Sequence, residues 1–199
     1  MVCAVADDPG MHSSQNEQDS RHHAIASKVP MLEPSDSAEC LRYTMRAYEL
    51  SEQFDTPVLL RLSTRISHSR SIVETGERQA RENLPYVRNV AKNVMMPAMA
   101  SAFALWMPTS SLWTEALREW AETSGINRAE YHDKSIGVVC AGTTYMYARE
   151  ALGNKVSYFK LGMVNPLPVE SLKAFAAQVG RLIVIEELDD IIETHCRKL

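Results

Sequence analysis

Three short apolar runs of strand length mark the first third of the chain. The first, Val2–Ala6, ends at the turn sequence Asp7-Asp8-Pro9-Gly10, and the others are Val29–Leu32 and Val58–Leu62. A helical pattern with short connections separates the last two runs. Because strand, helix and strand follow one another in this way, the order predicts a parallel α/β sheet.

The helical pattern between these runs has recognisable ends. Asp36 is placed to cap the first turn, with Glu39 three residues later in the spacing of a capping box, and residues 55–57 stop the helix. Apolar side chains recur at helical intervals within it. They predict a buried stripe made of Ala38, Leu41, Met45 and Tyr48.

The last third of the chain alternates the two kinds of pattern three times. It predicts buried strands at Ile136–Ala141, Val156–Leu161 and Arg181–Ile185, and helices at Thr144–Leu152, Glu170–Val179 and Asp189–Lys198. Since helices that join parallel strands cross over with one hand, this order predicts a doubly wound parallel sheet.

The middle of the chain, residues 71–130, has few clusters of β-branched residues and is predicted to be a helical linker between two α/β units. Helices are indicated at Tyr86–Val94 and Ala98–Ser124. The most apolar window, Val94–Met107, holds about 14 residues, whereas a helix needs about 20 to span a bilayer. We therefore interpret this window as a buried helix or an interface, and we expect no membrane span.

Composition narrows the class of protein. The 199 residues are 45% hydrophobic and 23% charged, which is typical of a globular chain and excludes a disordered one. A net charge of −4 argues against a general nucleic-acid binder. The chain has four cysteines without a CxxC pair: Cys3, Cys40, Cys140 and Cys196. Their scatter argues against a zinc ribbon or an iron–sulfur cluster within this chain, and it predicts reduced thiols in a cytoplasmic protein.

The richest chemistry lies in the polar loop, residues 7–21, which directly follows the first predicted strand. Ligands of parallel α/β sheets bind beyond the carboxyl ends of the strands, so this loop is placed to present hydroxyls, amides and Arg21 to a polar ligand. An ordinary solvated loop is the alternative. A serine nucleophile paired with His12 is not supported, because the chain has no GxSxG sequence.

Two more polar groups follow predicted strands. Arg61, Arg65 and their polar neighbours at residues 64–70 surround the end of the third run, where they either bind an anion or pair with acidic residues of the first third. Glu186 and Glu187 follow the last strand, and they either face a ligand or begin the next helix. The spacing leaves both choices open.

Residues 6–21, ADDPGMHSSQNEQDSR, closely resemble a signature of the indolepyruvate ferredoxin oxidoreductase alpha subunit, a member of the thiamine diphosphate-dependent 2-oxoacid:ferredoxin oxidoreductase family. Further matches follow in the same order, at residues 32–37, 54–70, 142–145, 160–162, 166–168 and 184–189. The resemblance spans nearly the whole chain, and the first motif is too long and too polar to match by chance.

The resemblance implies an activity and a set of cofactors and partners. Enzymes of this family decarboxylate arylpyruvates such as indolepyruvate oxidatively with thiamine diphosphate and Mg²⁺. They pass electrons through [4Fe-4S] clusters to ferredoxin, and the acyl group goes to coenzyme A. By the same resemblance, the alpha subunit works with a beta subunit.

The resemblance also assigns domains and site residues. Residues 1–70 look like the C-terminal half of the pyrimidine-binding domain, residues 71–130 like the helical linker, and residues 131–199 like the N-terminal part of a transketolase C-terminal-like domain. The expected thiamine contacts are Ser13, Ser14, Gln15, Asn16 and Glu17. The candidates for a substrate carboxylate, or for bracing the loop, are Arg21, Arg61 and Arg65.

The chain also departs from the family pattern. The glutamate that activates the aminopyrimidine is expected upstream of Met1, and the diphosphate-, Mg²⁺- and cluster-binding domains are expected beyond Leu199. We therefore expect no catalytic residue and no metal ligand within these residues, and no activity from the chain alone. A non-catalytic assembly module from a split or truncated gene is the alternative.

Overall fold

The first α/β unit is built on three parallel strands. The computed structural model describes residues 1–12, 14–78 and 114–199. Its first strands are β1 (Val2–Asp7), β2 (Met31–Leu32) and β3 (Val58–Ser63), and β3 lies between the other two. The predicted parallel sheet is therefore confirmed, although β2 is shorter than the predicted run.

Helices connect these strands. They are α1 (Arg21–Ser27), α2 (Ser37–Phe54) and α3 (Thr64–His68), and residues 114–123 form a further helix, α4. The cap of α2 is confirmed, because the Asp36 carboxylate accepts a hydrogen bond of 2.7 Å from the Glu39 amide. At the other end, Asp55 adopts a left-handed conformation with φ of 51°, and the helix stops there.

The second unit has the predicted order of strands and helices. Its parallel strands are β5 (Gly137–Ala141), β6 (Ser157–Leu161) and β8 (Leu182–Ile185), with β5 in the middle, and β4 (Arg128–Glu130) adds an antiparallel edge beside β6. The helices are α5 (Gly142–Leu152), α6 (Val169–Ala176) and α7 (Ile191–Cys196). The fold class, α/β with two largely parallel sheets, is confirmed.

One short strand joins the two units. Strand β7 (Met163–Asn165) follows β6 in the chain, but it pairs antiparallel with β2 and completes the first sheet. The largest core cluster likewise mixes Ala24 and Met31 with Phe159, Leu161 and Phe175. With three residues, β7 is too short to be recognised from the sequence. Because β7 pairs with β2, the two sheets lie against one shared hydrophobic core.

The predicted buried stripe on α2 is wrong. Ala38 is only partly buried, and Leu41, Met45 and Tyr48 are exposed at 37%, 53% and 51%. The face of α2 that points inward carries Glu39, Tyr43, Ala47, Leu50 and Ser51. Two of these residues, Glu39 and Ser51, are polar. The inward face therefore does not show a helical repeat of apolar residues that the sequence would reveal.

The middle of the chain is described only in part. Residues 71–78 form neither helix nor strand, and 114–123 are helical. The predicted helix Tyr86–Val94 and the apolar window Val94–Met107 lie outside the described residues. The domain limits at residues 70 and 130 stay a prediction. Among the helices that the structure describes, none is long and apolar enough to cross a bilayer.

A buried ion pair joins α2 to the second sheet. Lys160 on β6 donates a hydrogen bond of 2.5 Å to Glu39 and one of 2.9 Å to the hydroxyl of Tyr43, and the side chains of Lys160 and Glu39 are at most 1% exposed. The Glu39 carboxylate also accepts from the amide and hydroxyl of Ser35 and from Arg128. Every charge of the pair is thus hydrogen-bonded, which a buried ion pair requires.

The same partners set the pKa of Glu39. Burial alone raises the pKa of this carboxyl, but the attraction of Lys160 and the hydrogen bonds from Ser35 lower it to about 2. The ionised carboxylate therefore contributes stability that is fully present above its ordinary pKa of 4.5 and lost as pH falls through about 2. The shift corresponds to about 3 kcal/mol.

We expect Lys160→Met to lower the free energy of unfolding by roughly 3–5 kcal/mol, because the variant leaves the Glu39 carboxylate buried without its cation. Urea unfolding at pH 7 measures the change. The loss of stability of the natural chain between pH 4.5 and 2 should also shrink in this variant, since Glu39 no longer has a strongly lowered pKa.

Lys173→Met is the matched control. Lys173 lies 3.5 Å from Glu170 in an exposed pair, and exposed pairs contribute roughly 0–1 kcal/mol. Equal losses for the two variants, or no loss for Lys160→Met, would contradict a structural role for the buried pair.

Candidate functional site

The polar loop between β1 and α1 is folded around two aspartates. The Asp8 carboxylate accepts hydrogen bonds of 2.6 Å from the amide of Ser14 and from the hydroxyl of Thr64, and its carbonyl accepts one from the amide of Gln18. The Asp7 carboxylate accepts from the amide and hydroxyl of Ser20 at 2.8 and 2.5 Å. Both ends of the loop are thereby held to the end of the strand that precedes it.

Arg61 lies beneath this loop and is 1% exposed. It donates to Asp7 at 2.6 Å and to Glu33 at 2.9 Å, so its guanidinium joins the ends of all three parallel strands of the first sheet. Burial alone lowers the pKa of Arg61, but Glu33, Asp7 and Asp19 raise it above its ordinary value. The guanidinium therefore stays charged in a place that water does not reach.

Arg21 joins the loop to the second sheet and is 2% exposed. Its guanidinium donates to Asp19 at 2.6–3.1 Å and to the carboxylate of Glu186 at 2.7 Å, and it also reaches the carbonyls of Glu187 and Asp189. Burial raises the pKa of Asp19, but the hydrogen bond and charge of Arg21 lower it below its ordinary value. Each of the three guanidinium nitrogens has a protein acceptor.

A third contact closes the seam between the sheets. Gly142 begins α5 with φ of 51°, a left-handed conformation that favours glycine, and a Cβ atom at this position would collide with the Glu33 carboxylate. The glycine thus allows Glu33 to approach the N-terminus of α5, where a negative charge is favourable. On the same helix, the Thr143 hydroxyl donates to Glu187 at 2.9 Å.

These contacts surround a cavity of about 270 Å³ at the carboxyl ends of β1, β3 and β8. Its lining includes His12, Thr64, Arg65, His68, Tyr147 and Glu187. The Arg65 guanidinium lies over the ring of Tyr147, 5.8 Å from its centroid. A larger cavity of about 730 Å³ lies between α1, α4, the turn after β7 and α7, and it shares no lining residue with the first. The smaller cavity is therefore the one that the polar loop borders.

The residues predicted to contact a cofactor or substrate have different surroundings. Ser13 lies outside the described residues, Ser14 is half-buried, and Gln15, Asn16 and Glu17 are exposed. Among the three candidate arginines, Arg21 and Arg61 are buried in ion pairs, and Arg65 is exposed at the cavity.

Sequence reasoning missed the carboxylates that organise the site. Asp7 and Asp8 look like turn residues, and Asp19 and Glu33 carry no distinctive spacing. Their partners lie far along the chain, as with Arg61 and Asp7, 54 residues apart. A signal was nevertheless present, because Asp7, Asp8 and Glu33 fall within the segments that resemble the family.

One group of side chains has ligand atoms spaced as in a metal site. Oxygens of Asp19 and Asp189 and a nitrogen of His22 lie within 4.8 Å of one another. However, Asp19 is already paired with Arg21, and the His22 imidazole lies 2.7 Å from Asp189. A cation here would lie next to the Arg21 guanidinium, so the group is better explained as an ion-pair network.

We expect Arg21→Met to release the polar loop, since the carboxylates of Asp19 and Glu186 would lose their common cation. A glutamyl endopeptidase measures this, because Glu17 is an exposed glutamate within the loop. Cleavage after Glu17 should become at least tenfold faster in the variant, because lowering the free energy of loop opening by about 1.4 kcal/mol raises the open population tenfold. Arg197→Met, which breaks only an exposed pair with Glu193, is the control. Unchanged cleavage in a folded Arg21→Met variant would contradict the role assigned to Arg21.

No family model matches the chain. Relatives in three archaea are nevertheless similar over nearly all of it. The indolepyruvate oxidoreductase subunit IorA of Archaeoglobus fulgidus is 35% identical over 203 residues, covering 100% of this chain. The same subunit is 39% identical in Methanothermobacter marburgensis and 35% identical in Pyrococcus horikoshii, covering 97% and 99% of the chain. In each case, the chain spans 32% of the relative.

The fold is also similar to that of a solved structure, the 2-oxoglutarate:ferredoxin oxidoreductase from Magnetococcus marinus with 2-oxoglutarate, coenzyme A and succinyl-CoA bound. The TM-score is 0.67, and the match covers 98% of this chain and 43% of that one. At 16% identity this likeness concerns the fold alone. The sequence matches carry the family assignment: the chain is a homologue of the indolepyruvate oxidoreductase IorA subunits and corresponds to about a third of their length.

Proposed function

We propose that the chain is part of an enzyme that oxidatively decarboxylates arylpyruvates, indolepyruvate among them, to aryl-acetyl-CoA with reduction of ferredoxin. The observation that carries this proposal is the polar loop fixed by Asp7, Asp8 and Arg61 at the carboxyl edge of a parallel sheet. This edge is where α/β sheets bind ligands. The names of the relatives point to the same class of reaction.

When bound, thiamine diphosphate would supply a nucleophilic carbon for the 2-oxo group and, in its cationic ring, a sink for the electrons left by decarboxylation. The loop suits the aminopyrimidine end of this cofactor, because Ser14, Gln15, Asn16 and Glu17 offer both donors and acceptors. Together with Ser13, they are the residues that we propose to hold the ring. The rigid attachment of the loop would orient these groups in advance of binding.

We propose different roles for the three arginines. Arg65 is exposed at the cavity and is the candidate for the substrate carboxylate. Arg21 and Arg61 are proposed to brace the loop, because protein carboxylates and carbonyls already surround them. A substrate carboxylate at Arg21 would have to displace one of these partners. Among the described residues, Arg61 has no hydrogen-bond partner at Nη2, but its side chain is only 1% exposed.

The remaining chemistry is proposed to belong to the other two thirds of the subunit and to its partners. We assign the sites for the diphosphate, Mg²⁺ and [4Fe-4S] clusters, and the activating glutamate, to that part. The beta subunit and ferredoxin would associate with the assembled enzyme. The four cysteines form no disulfide, which supports a cytoplasmic location.

A chimeric enzyme tests the proposal. This chain would replace the matching segment of the Archaeoglobus fulgidus subunit, which would be produced with its beta subunit. We expect the chimera to reduce a viologen dye when indolepyruvate and coenzyme A are present. We expect no turnover from the chain alone, since we assign most of the cofactor site to the other two thirds of the subunit.

Assembly of the chimera is checked by size-exclusion chromatography and by its iron content. Turnover by the chain alone, or an assembled and cluster-loaded chimera without turnover, would contradict the proposal. In the second case, the alternative of a non-catalytic assembly module gains support. The observation that favours the alternative is the exposed apolar face of α2, made of Leu41, Met45 and Tyr48.

A further inference from the structure

We propose that Arg65, Tyr147 and Glu187 together recognise the substrate as an aromatic 2-oxoacid. The inference rests on the proposed function and adds to it the residues that select an aromatic acid. These three side chains line the cavity of about 270 Å³. Arg65 lies on α3 of the first α/β unit, whereas Tyr147 on α5 and Glu187 after β8 belong to the second. Each offers a different kind of contact.

Among the three candidate arginines, Arg65 is the one for which the described residues show no carboxylate partner. Arg21 and Arg61 have carboxylate partners within 2.7 Å, whereas the contact that the described residues show for the Arg65 guanidinium is an aromatic ring. An arginine in this position can bind a carboxylate through two parallel N–H donors. The hydroxyl of Thr64 is already bound to Asp8, so it leaves the guanidinium as the principal anion-binding group of the α3 side.

Tyr147 supplies an aromatic wall beside that cation. Its side chain is 46% exposed, and the Arg65 guanidinium lies 5.8 Å from the ring centroid. A guanidinium beside an aromatic ring matches a ligand with a carboxylate next to a planar apolar group, because the ligand can pair with the first and stack on the second. A small 2-oxoacid such as pyruvate would leave the ring without a partner.

Glu187 adds a hydrogen-bond acceptor to the same cavity. Thr143 donates to one of its oxygens at 2.9 Å, and Arg21 binds its backbone carbonyl, so the residue is fixed at the end of β8. A carboxylate in a cavity for an anion is unfavourable unless the ligand also carries a donor. The ring N–H of an indole is such a donor, and this favours an indole over a phenyl ring.

The size of the cavity limits the ligand. Small-molecule sites typically enclose roughly 300–1,000 Å³, and this cavity of about 270 Å³ lies just below that range. It suits a single aromatic acid and excludes a ligand as large as coenzyme A. The cavity is therefore assigned to the oxoacid rather than to the acyl acceptor.

Calorimetric titration of the intact 199-residue chain with indolepyruvate, phenylpyruvate and pyruvate tests the assignment. The natural chain should bind indolepyruvate most tightly and pyruvate most weakly. Arg65→Gln should lower the affinity for the two aromatic acids by roughly 10–100-fold, which is the effect of losing one charge-assisted hydrogen-bonded contact. Tyr147→Leu should lower the affinity for the aromatic acids by about 3–10-fold and leave the affinity for pyruvate unchanged. Glu187→Gln should reduce the preference for indolepyruvate over phenylpyruvate.

Lys134→Gln is the matched control. Lys134 also lies over a tyrosine, 4.8 Å from the ring of Tyr131, but it does not line this cavity. Its affinities should equal those of the natural chain, and circular dichroism checks that every variant is folded. Undiminished binding of the aromatic acids by folded Arg65→Gln, or an unchanged aromatic preference in Tyr147→Leu, would overturn the assignment.

The two proposals fail in different ways. The recognition residues are wrong, and the proposed function stands, if the chimeric enzyme turns over indolepyruvate while the natural chain binds no aromatic acid. The same conclusion follows if the Arg65 and Tyr147 variants of an active chimera keep its KM for indolepyruvate. If the chain binds aromatic acids through Arg65 but the assembled chimera is inactive, the proposed function fails and the binding site stands.

Discussion

Two buried arginines, Arg21 and Arg61, are the constraint on which the rest of the structure depends. A guanidinium cannot lose its charge in a protein, so burying it is unfavourable unless acceptors surround it. Each is at most 2% exposed, and each donates to oxygens of several elements. All three Arg21 nitrogens have an acceptor, whereas Arg61 Nη2 has no hydrogen-bond partner in the described part of the chain and lies 3.7 Å from Asp19. The positions of those elements are therefore fixed by the need to satisfy two charges.

The same requirement explains why the loop after β1 has a fixed shape without helix or strand. Asp7 and Asp19 bind the two arginines, and Asp8 binds backbone and hydroxyl donors. Gln15, Asn16 and Glu17 are left exposed. Arg21 also binds the segment after β8, so the loop, the first sheet and the second sheet meet at one seam. The small cavity borders this seam, and two of its lining residues are held by hydrogen bonds to distant parts of the chain: Thr64 to Asp8 and Glu187 to Thr143.

Much of the fold could be predicted from the sequence, because its signals are local. The parallel strands, the Asp36 cap and the order of elements in the last third follow from patterns within about ten residues. The inward face of α2 could not be predicted, since Glu39 becomes a core residue only through Lys160, 121 residues away. For the same reason, Asp7 and Glu33 had no visible role until Arg61 brought them together. The position of the loop after a predicted strand made it a candidate site, with a solvated loop as the alternative, and the resemblance to a family pointed to the same segment.

Buried charges fix the polar loop before any ligand binds. Hydrogen exchange of the individual backbone amides of the intact chain tests it most directly. The amides of Ser14 and Ser20 donate to Asp8 and Asp7, and we predict that they exchange much more slowly than those of an unstructured peptide, although they lie in neither helix nor strand. Exchange of both amides at the rate of an unstructured peptide would contradict the account.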